Sequence, residues 1–410
     1  MNALFRSMKD FVAQKTNPLR ILLVHNRYLI RGGERQVFEA ELQLLRDHGD
    51  LVETYIEDNR RVSTLGKART ASRTIWSSET YQSLRKKLAG GSFDIVHVHN
   101  FFPLISPSIF YAARAERIPI VQTLHNFRLL CINGFLFRDN AVCEDCVGRW
   151  LPWPGVYHAC YRDSHGGSLT VAAMLSFHRA IKTWDRMVDT YIALTDFSRQ
   201  KFIEGGLPGD KIKVKPNFIT KDPDQGHGQG GFALFVGRLS SEKGIETMLA
   251  AWRLLEEPIP LKIVGDGPLR DEVISAAATL STVEYLGILD NDQVLSLMQQ
   301  ALFLVFPSLW YENFPMTIVE AFATGLPVLA SNLGNTAKLV RSGQTGIHFA
   351  PGDAADMANK ALWLVNNFDI LQQMRSKVRM TYEGQFTPSS NYQLLRDIYD
   401  STLDKYKNGT

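Results

Sequence analysis

The 410-residue chain has no run of 18 consecutive apolar residues, which excludes a helix crossing a bilayer by itself. Its first 20 residues lack the long apolar segment and small-residue cleavage site of a secretory leader, so a cytoplasmic location is expected. Cysteine is scarce, with four in the chain, and in a reducing compartment that sets aside a disulfide framework. Neither sign of charge dominates: 45 Lys and Arg against 42 Asp and Glu leave a formal net charge of +3, without the clustering of a dedicated nucleic-acid binder.

What is present is ordinary globular material, 45% hydrophobic and long enough for two cores. Charge is divided unevenly, with 30 Lys and Arg against 21 Asp and Glu in residues 1–217 and 15 against 21 in the rest. A basic first half suits an anionic surface or substrate, solvated faces being the bland alternative. Leu4, Phe5, Met8, Phe11 and Val12 share one helical face beside Arg6, Lys9 and Lys15. That is the pattern of a peripheral anchor on the inner face of an anionic membrane, or of a packed terminal helix.

All four cysteines, Cys131, Cys143, Cys146 and Cys160, fall within 30 residues, and the middle two form Cys-x-x-Cys. Thiolates that stay reduced are available as zinc ligands, and four of them close a tetrahedral site, so any zinc here would be structural. Unligated thiols are the alternative. The surrounding insertion, with Trp150, Trp153, Tyr157 and Tyr161, has too few periodic apolar residues to fold alone.

Short apolar runs alternate with helical patterns, the sequence form of βαβ units with parallel sheets. Strands are expected at 20–24, 52–56, 94–98, 118–123 and 190–194, with a helix at 33–45. The pattern restarts at 232–236, 261–264, 283–286, 302–306 and 328–330. Residues 220–231 (TKDPDQGHGQGG) have no apolar periodicity and read as an exposed interdomain linker. The expected division is residues 1–219 with the insertion at 131–160, then 220–387, then a terminal amphipathic helix in 388–410 that packs on one domain or the other.

Glu312 and Glu320 have seven residues between them, the first in a strand-to-helix loop and the second about two turns into the helix. Carboxylates accept hydrogen bonds from the paired hydroxyls of sugars and riboses, so the pair suggests a sugar joined to a nucleoside. Arg238 and Lys243 lie in a loop after the strand at 232–236, where a pyrophosphate binds in open α/β sheets. Gly265 begins a Gly-Asp-Gly-Pro turn suited to backbone approach to the base or to turning alone. Near the start, Arg31, Gly32, Gly33 and Glu34 follow a strand and open a helix, and two glycines admit a phosphate or sugar close to the backbone. His125 ends another strand, placed to bond a sugar hydroxyl from the opposite side. His97 and His99 alternate on one strand, and with no matching carboxylate evident they are read as polar residues at a strand end. The apolar residues 169–175 with Phe177 and Trp184 read as a core helix in preference to a contact for a lipid-linked acceptor.

These motifs, GRLSSEKG, then VGDGP, then ENFPMTIVE with AFATGLPVLAS, resemble retaining glycosyltransferases of family 4 over almost the whole chain. The cysteines look like those of a bacterial exopolysaccharide-type subgroup. The resemblance implies an α/β GT-B fold of two facing Rossmann-like domains. It implies that Glu312 holds donor sugar hydroxyls, Glu320 the ribose, Arg238 and Lys243 the diphosphate, Gly32 and Gly33 the glycine loop, and His125 the sugar. The amides at Asn313 and Phe314 take the place of family glycines. The implied substrates are a UDP- or GDP-sugar donor and a glycan or lipid-linked acceptor in polysaccharide synthesis, with a metal-independent retaining transfer. A nucleotide-sugar epimerase of the same fold and a non-catalytic sugar-nucleotide-binding subunit are the competing classes. Two departures stand out: Asn335 follows Gly334 where members commonly have a glycine pair, and Lys338 occupies the acidic place beyond.

Overall fold

The computed structural model describes residues 17–29 and 32–409. The expected terminal anchor and Arg31 lie outside the described residues.

Two parallel six-stranded sheets carry the fold. The first uses β1 (Arg20–Arg27), β2 (Leu51–Asp58), β3 (Ile95–Asn100), β4 (Ile120–Thr123), β7 (Thr190–Ala193) and β8 (Ile212–Val214), in the order β2-β1-β3-β4-β7-β8. A separate two-stranded hairpin, β5 (Phe137–Arg138) with β6 (Ala141–Val142), lies in the cysteine-bearing insertion. The second sheet uses β9 (Ala233–Val236), β10 (Leu261–Val264), β11 (Val283–Gly287), β12 (Phe303–Phe306), β13 (Val328–Ser331) and β14 (Gly346–Phe349), in the order β11-β10-β9-β12-β13-β14. These are the two doubly wound orders, and their switch points fall between β1 and β3 and between β9 and β12.

The central strands carry no polar alternation because both faces are covered: β4, β7, β12 and β13 are buried at every position. Each sheet packs apolar side chains on both faces. One face of the first sheet is closed by the terminal helix Pro388–Gly409, whose Leu395, Ile398 and Tyr399 pack on Leu19, Ile21, Leu23 and Phe38. The helix therefore leaves the second domain and completes the first.

Ten strands stand where the apolar runs predict them, with ends shifted by up to three residues. The three- and four-residue edge strands β8 and β14 were not foreseen, being too short to show a pattern. Residues 220–231 are irregular, but they are strapped to the second domain: Gly226 N donates to Thr324 O at 2.9 Å, Gly228 N to Gln299 O at 3.0 Å, and Asp222 pairs with Arg379 at 2.6 Å.

Candidate active site

On the second domain, the loops that part at the switch point supply the charged groups. The loop after β9 carries Arg238 and Lys243; the loop after β12 carries Ser308, Trp310 and Glu312. Glu312 is buried, and its Oε1 accepts from Lys243 Nζ at 2.5 Å and from Ser308 Oγ at 2.7 Å. Lys243 also sits 5.4 Å from the Trp310 ring centre, a cation–π contact. Arg238 is exposed, with no side-chain partner among the described residues.

Glu320 lies in the helix Met316–Ala323, just over one turn in, because Pro315 is the N-cap and the helix starts later than the sequence suggested. Burial pushes its carboxyl above the usual range. Gly265 has φ +134°, and a Cβ there would run into the Gly237 carbonyl, so it lets the loops after β9 and β10 close on each other. A Cβ on Gly32 or Gly33 would meet nothing within 4 Å.

The first domain presents a buried polar chain. His99 Nε2 lies 3.1 Å from Glu41 Oε1, and His99 Nδ1 lies 2.9 Å from His125 Nε2. Glu41 Oε2 accepts from the buried Lys215 ammonium at 2.9 Å, which also donates to Asn391 Oδ1 at 2.9 Å on the terminal helix. Burial alone would raise the Glu41 carboxyl; Lys215, then His99 and His97, outweigh it and hold it well below its usual value. An ionised Glu41 accepts, so His99 donates from Nε2 and accepts at Nδ1 from His125 Nε2–H. Burial holds His125 neutral, well below its ordinary pKa. Its Nδ1 is left as an acceptor for a hydroxyl. The matching carboxylate for His97 and His99 thus exists: Glu41 comes from the helix Gly33–Asp47, far away in sequence.

Both domains meet over one cavity of about 240 Å³. Gly33, Glu34, His125 and Phe135 line one side and Trp310, Glu312, Asn313 and Phe314 the other. The helices Gly33–Asp47 and Met316–Ala323 open at this cavity from opposite domains, and neither start has a side-chain cap, so first-turn N–H groups remain for a ligand. Lys243 joins through Glu312. Arg238, Gly265 and Glu320 do not line this cavity; they lie on or beyond the carboxyl ends of the second-sheet strands.

Sequence reasoning missed three contributors. Glu34 lines the cavity with its carboxyl pushed up to about 8 by burial, which outweighs Asn100, Arg128 and Asn126. Trp310 packs on Phe135 across the domains at 5.1 Å between ring centres. Asn335, one of the departures, is buried: its Nδ2 donates to Ser198 Oγ and to Asn313 O, each at 3.0 Å, and it also bonds Thr195 and the Glu312 carbonyl. Asn313 Nδ2 in turn reaches Leu124 O at 2.9 Å. The side chains at 313 and 335 therefore clasp the domains, and Lys338 is exposed.

Two parallel Rossmann-like sheets meeting at their switch points define the GT-B class. Residues 24–222 match the family model described as Glycosyltransferase Family 4, and residues 219–381 match Glycosyl transferases group 1. The chain belongs to glycosyltransferase family 4. It is 32% identical to the glycogen synthase of Mycobacterium tuberculosis over 224 residues, 51% of this chain and about half (53%) of that relative. It is 23% identical to the 2-deoxystreptamine N-acetyl-D-glucosaminyltransferase of Niallia circulans over 322 residues, 76% of this chain and 77% of the relative. In fold it is similar to a glycosyltransferase from Rickettsia africae, with a TM-score of 0.68, 17% identity and coverage of 95% and 99% of the two chains. The structure of Anabaena Alr3699/HepE in complex with UDP-glucose gives a TM-score of 0.63 at 18% identity over 93% of this chain and all of that one. No helix among the described residues is long and apolar enough to cross a membrane.

Proposed function

We propose that the chain transfers a sugar, with retention at the anomeric carbon, from a UDP- or GDP-sugar to a hydroxyl of a glycan or lipid-linked acceptor in polysaccharide synthesis. The observation that carries this is the interdomain cavity. Glu312, pinned by Lys243 and Ser308, stands across it from neutral His125 and the unencumbered Gly33.

Negative charge grows on the departing diphosphate as the sugar–oxygen bond breaks. Arg238 and Lys243 are the cations for it, with the free N–H groups at the two helix starts, so the charge is met without a divalent ion. Glu312 accepts hydrogen bonds from sugar hydroxyls, and Glu320, buried with its proton held more tightly than usual, meets the ribose pair. His125 accepts a sugar hydroxyl at Nδ1. The departing phosphate oxygen takes the acceptor's proton on the face from which it leaves, which yields retention without a protein nucleophile. Ring contact between Phe135 and Trp310 and the Asn313–Asn335 clasp hold the domains together and keep water out.

The test is incubation with UDP- and GDP-sugars, with and without a panel of glycan and polyprenyl-linked acceptors and without added divalent ions. NMR of the product reads the anomeric configuration. Transfer with retention is expected. An inverted product overturns the stereochemistry, and an epimerised donor formed without acceptor overturns the transfer itself.

A further inference from the structure

We infer that Cys131, Cys143, Cys146 and Cys160 form a tetrathiolate zinc site, and that this zinc holds one wall of the interdomain cavity in place. All four cysteines are free of disulfides, and all four line one small cavity of about 10 Å³, the space of a single water or ion. Four thiols from an insertion and no carboxylate or imidazole make the donor set that selects zinc among the common divalent ions. Zn²⁺ with four thiolates carries a net charge of −2, each thiol giving its proton to solvent. The Arg179 guanidinium is close to Cys146 and offsets part of that charge; Arg138 lines the same cavity but is shared with Asp139 and Asp145 at 3.2 and 3.0 Å.

The sulfurs are not drawn to the spacing of a loaded site. Cys131 Sγ donates to Asn133 Oδ1 at 2.9 Å and Cys146 Sγ points to the Pro152 carbonyl at 3.8 Å. One rotamer change at a cysteine moves its sulfur by about 3 Å, enough to turn these thiols inward. The group that already closes within 4.8 Å among the described residues is Glu41, His97 and His99. It is poorly suited to a metal: the Lys215 ammonium bonds Glu41 at 2.9 Å, and the ring nitrogens of His97 face Tyr399 and Thr123 at 2.7 and 2.8 Å.

The insertion needs a staple. Its regular structure is a pair of two-residue strands and the five-residue helix Trp153–Tyr157. Four of its non-glycine residues hold positive φ, Leu136, Asp139, Asn140 and Ala159, as do Arg162 and Asp163 just after it. The Asp139-Asn140 pair suits a tight hairpin, but Leu136 and Ala159 hold a costly conformation that surrounding structure must impose. The insertion also does more than cover the surface. Gly134 and Phe135 wall the interdomain cavity, and Tyr161 and Arg162 wall a larger groove of about 760 Å³ on the first domain. A metal at its centre fixes both walls at once.

Elemental analysis of the full chain, purified without a metal-affinity tag and passed through EDTA and gel filtration, is expected to give close to one zinc per chain. The double variant Cys143→Ser, Cys146→Ser is expected to fall to background. Cobalt reconstitution is expected to show sulfur-to-cobalt charge transfer and the intense visible bands of tetrahedral thiolate coordination. Forced removal of zinc with a stronger chelator is expected to abolish hydrogen-exchange protection in residues 131–163 and leave β1 to β4 protected. Wild-type protein without zinc, whether its thiols titrate freely or are oxidised to disulfides, overturns the proposal independently of whether any variant folds. So does zinc that is kept in the cysteine variant and lost in Glu41→Gln, which would put the metal among the histidines.

Discussion

The two domains present opposite kinds of surface to the same cavity. On the first, the polar groups beneath the cavity are buried and paired with each other: His125 to His99, His99 to Glu41, Glu41 to Lys215, Lys215 to Asn391. On the second, Arg238 is exposed, Glu320 has no hydrogen-bond partner for its carboxylate among the described residues, and Lys243 meets Glu312 directly. A chain of satisfied buried bonds fixes geometry before any ligand arrives. Charges left to water or to one another can instead be re-partnered by a diphosphate and sugar hydroxyls. The first domain thus acts as a template, and the second as the part that responds to the donor.

The largest break in that contrast is on the template side. Lys215→Met leaves the Glu41 carboxylate buried without its cation, and loss of one partner of a buried pair costs about 3–5 kcal/mol. Urea unfolding is the measurement, and a loss below about 1 kcal/mol would show that the chain is not rigidly satisfied. Glu41 is held below its ordinary pKa, so the stability it lends is complete above the ordinary carboxylate range and fades as pH falls. The difference between wild type and Glu41→Gln should shrink on acidification.

On the responding side, Glu312→Ala should lower turnover by about 10²–10³, and loss of the buried acceptor for Lys243 and Ser308 should cost about 1–3 kcal/mol in unfolding. A variant that keeps full turnover removes Glu312 from the reaction. Lys243→Ala should weaken donor binding roughly tenfold, the scale of one charge-assisted hydrogen bond, and reduce its sensitivity to salt. Because the two groups bond each other, the double variant should lose less than the product of the single losses. Strict additivity in titration calorimetry would show that the ion pair does not matter to the donor.

The responding side was also the more legible one. Its strand-end loops are local in sequence, and residue types such as Glu312 or Lys243 announce charge where a doubly wound sheet binds ligands. The template side was hidden because its partners are remote: Glu41 is 58 positions from His99 and 174 from Lys215, and Asn391 is 176 from Lys215. Taken one at a time, His97 and His99 look like polar residues at a strand end, and only the packing of the helix Gly33–Asp47 gives them a carboxylate. Asn335 was hidden for the same reason. A departure from family pattern, it reads in sequence as a lost contact and in the fold as a bond to Ser198, 137 positions away.

Glu34 sharpens the comparison most finely, since it is a carboxyl of the template side that lines the cavity itself. It sits at the cavity, 3.6 Å from His25 Nδ1, and burial pushes it up to about 8. Between its ordinary value and 8 the folded state holds a proton that the unfolded chain has released, so stability falls as pH rises across that window, by up to about 1.4 kcal/mol per pH unit. His25 works the other way: burial lowers it to about 3, so the unfolded chain holds the extra proton and the trend is opposed up to the ordinary histidine range. Glu34→Gln isolates the carboxyl, because an amide keeps its shape and does not titrate. The stability gap between variant and wild type should widen in the variant's favour from pH 5 to pH 8, with the wild type losing donor affinity at the alkaline end as a new negative charge faces the diphosphate. A gap that stays flat in urea unfolding over that range would mean that water reaches Glu34, and that the template side is open where it is now read as sealed.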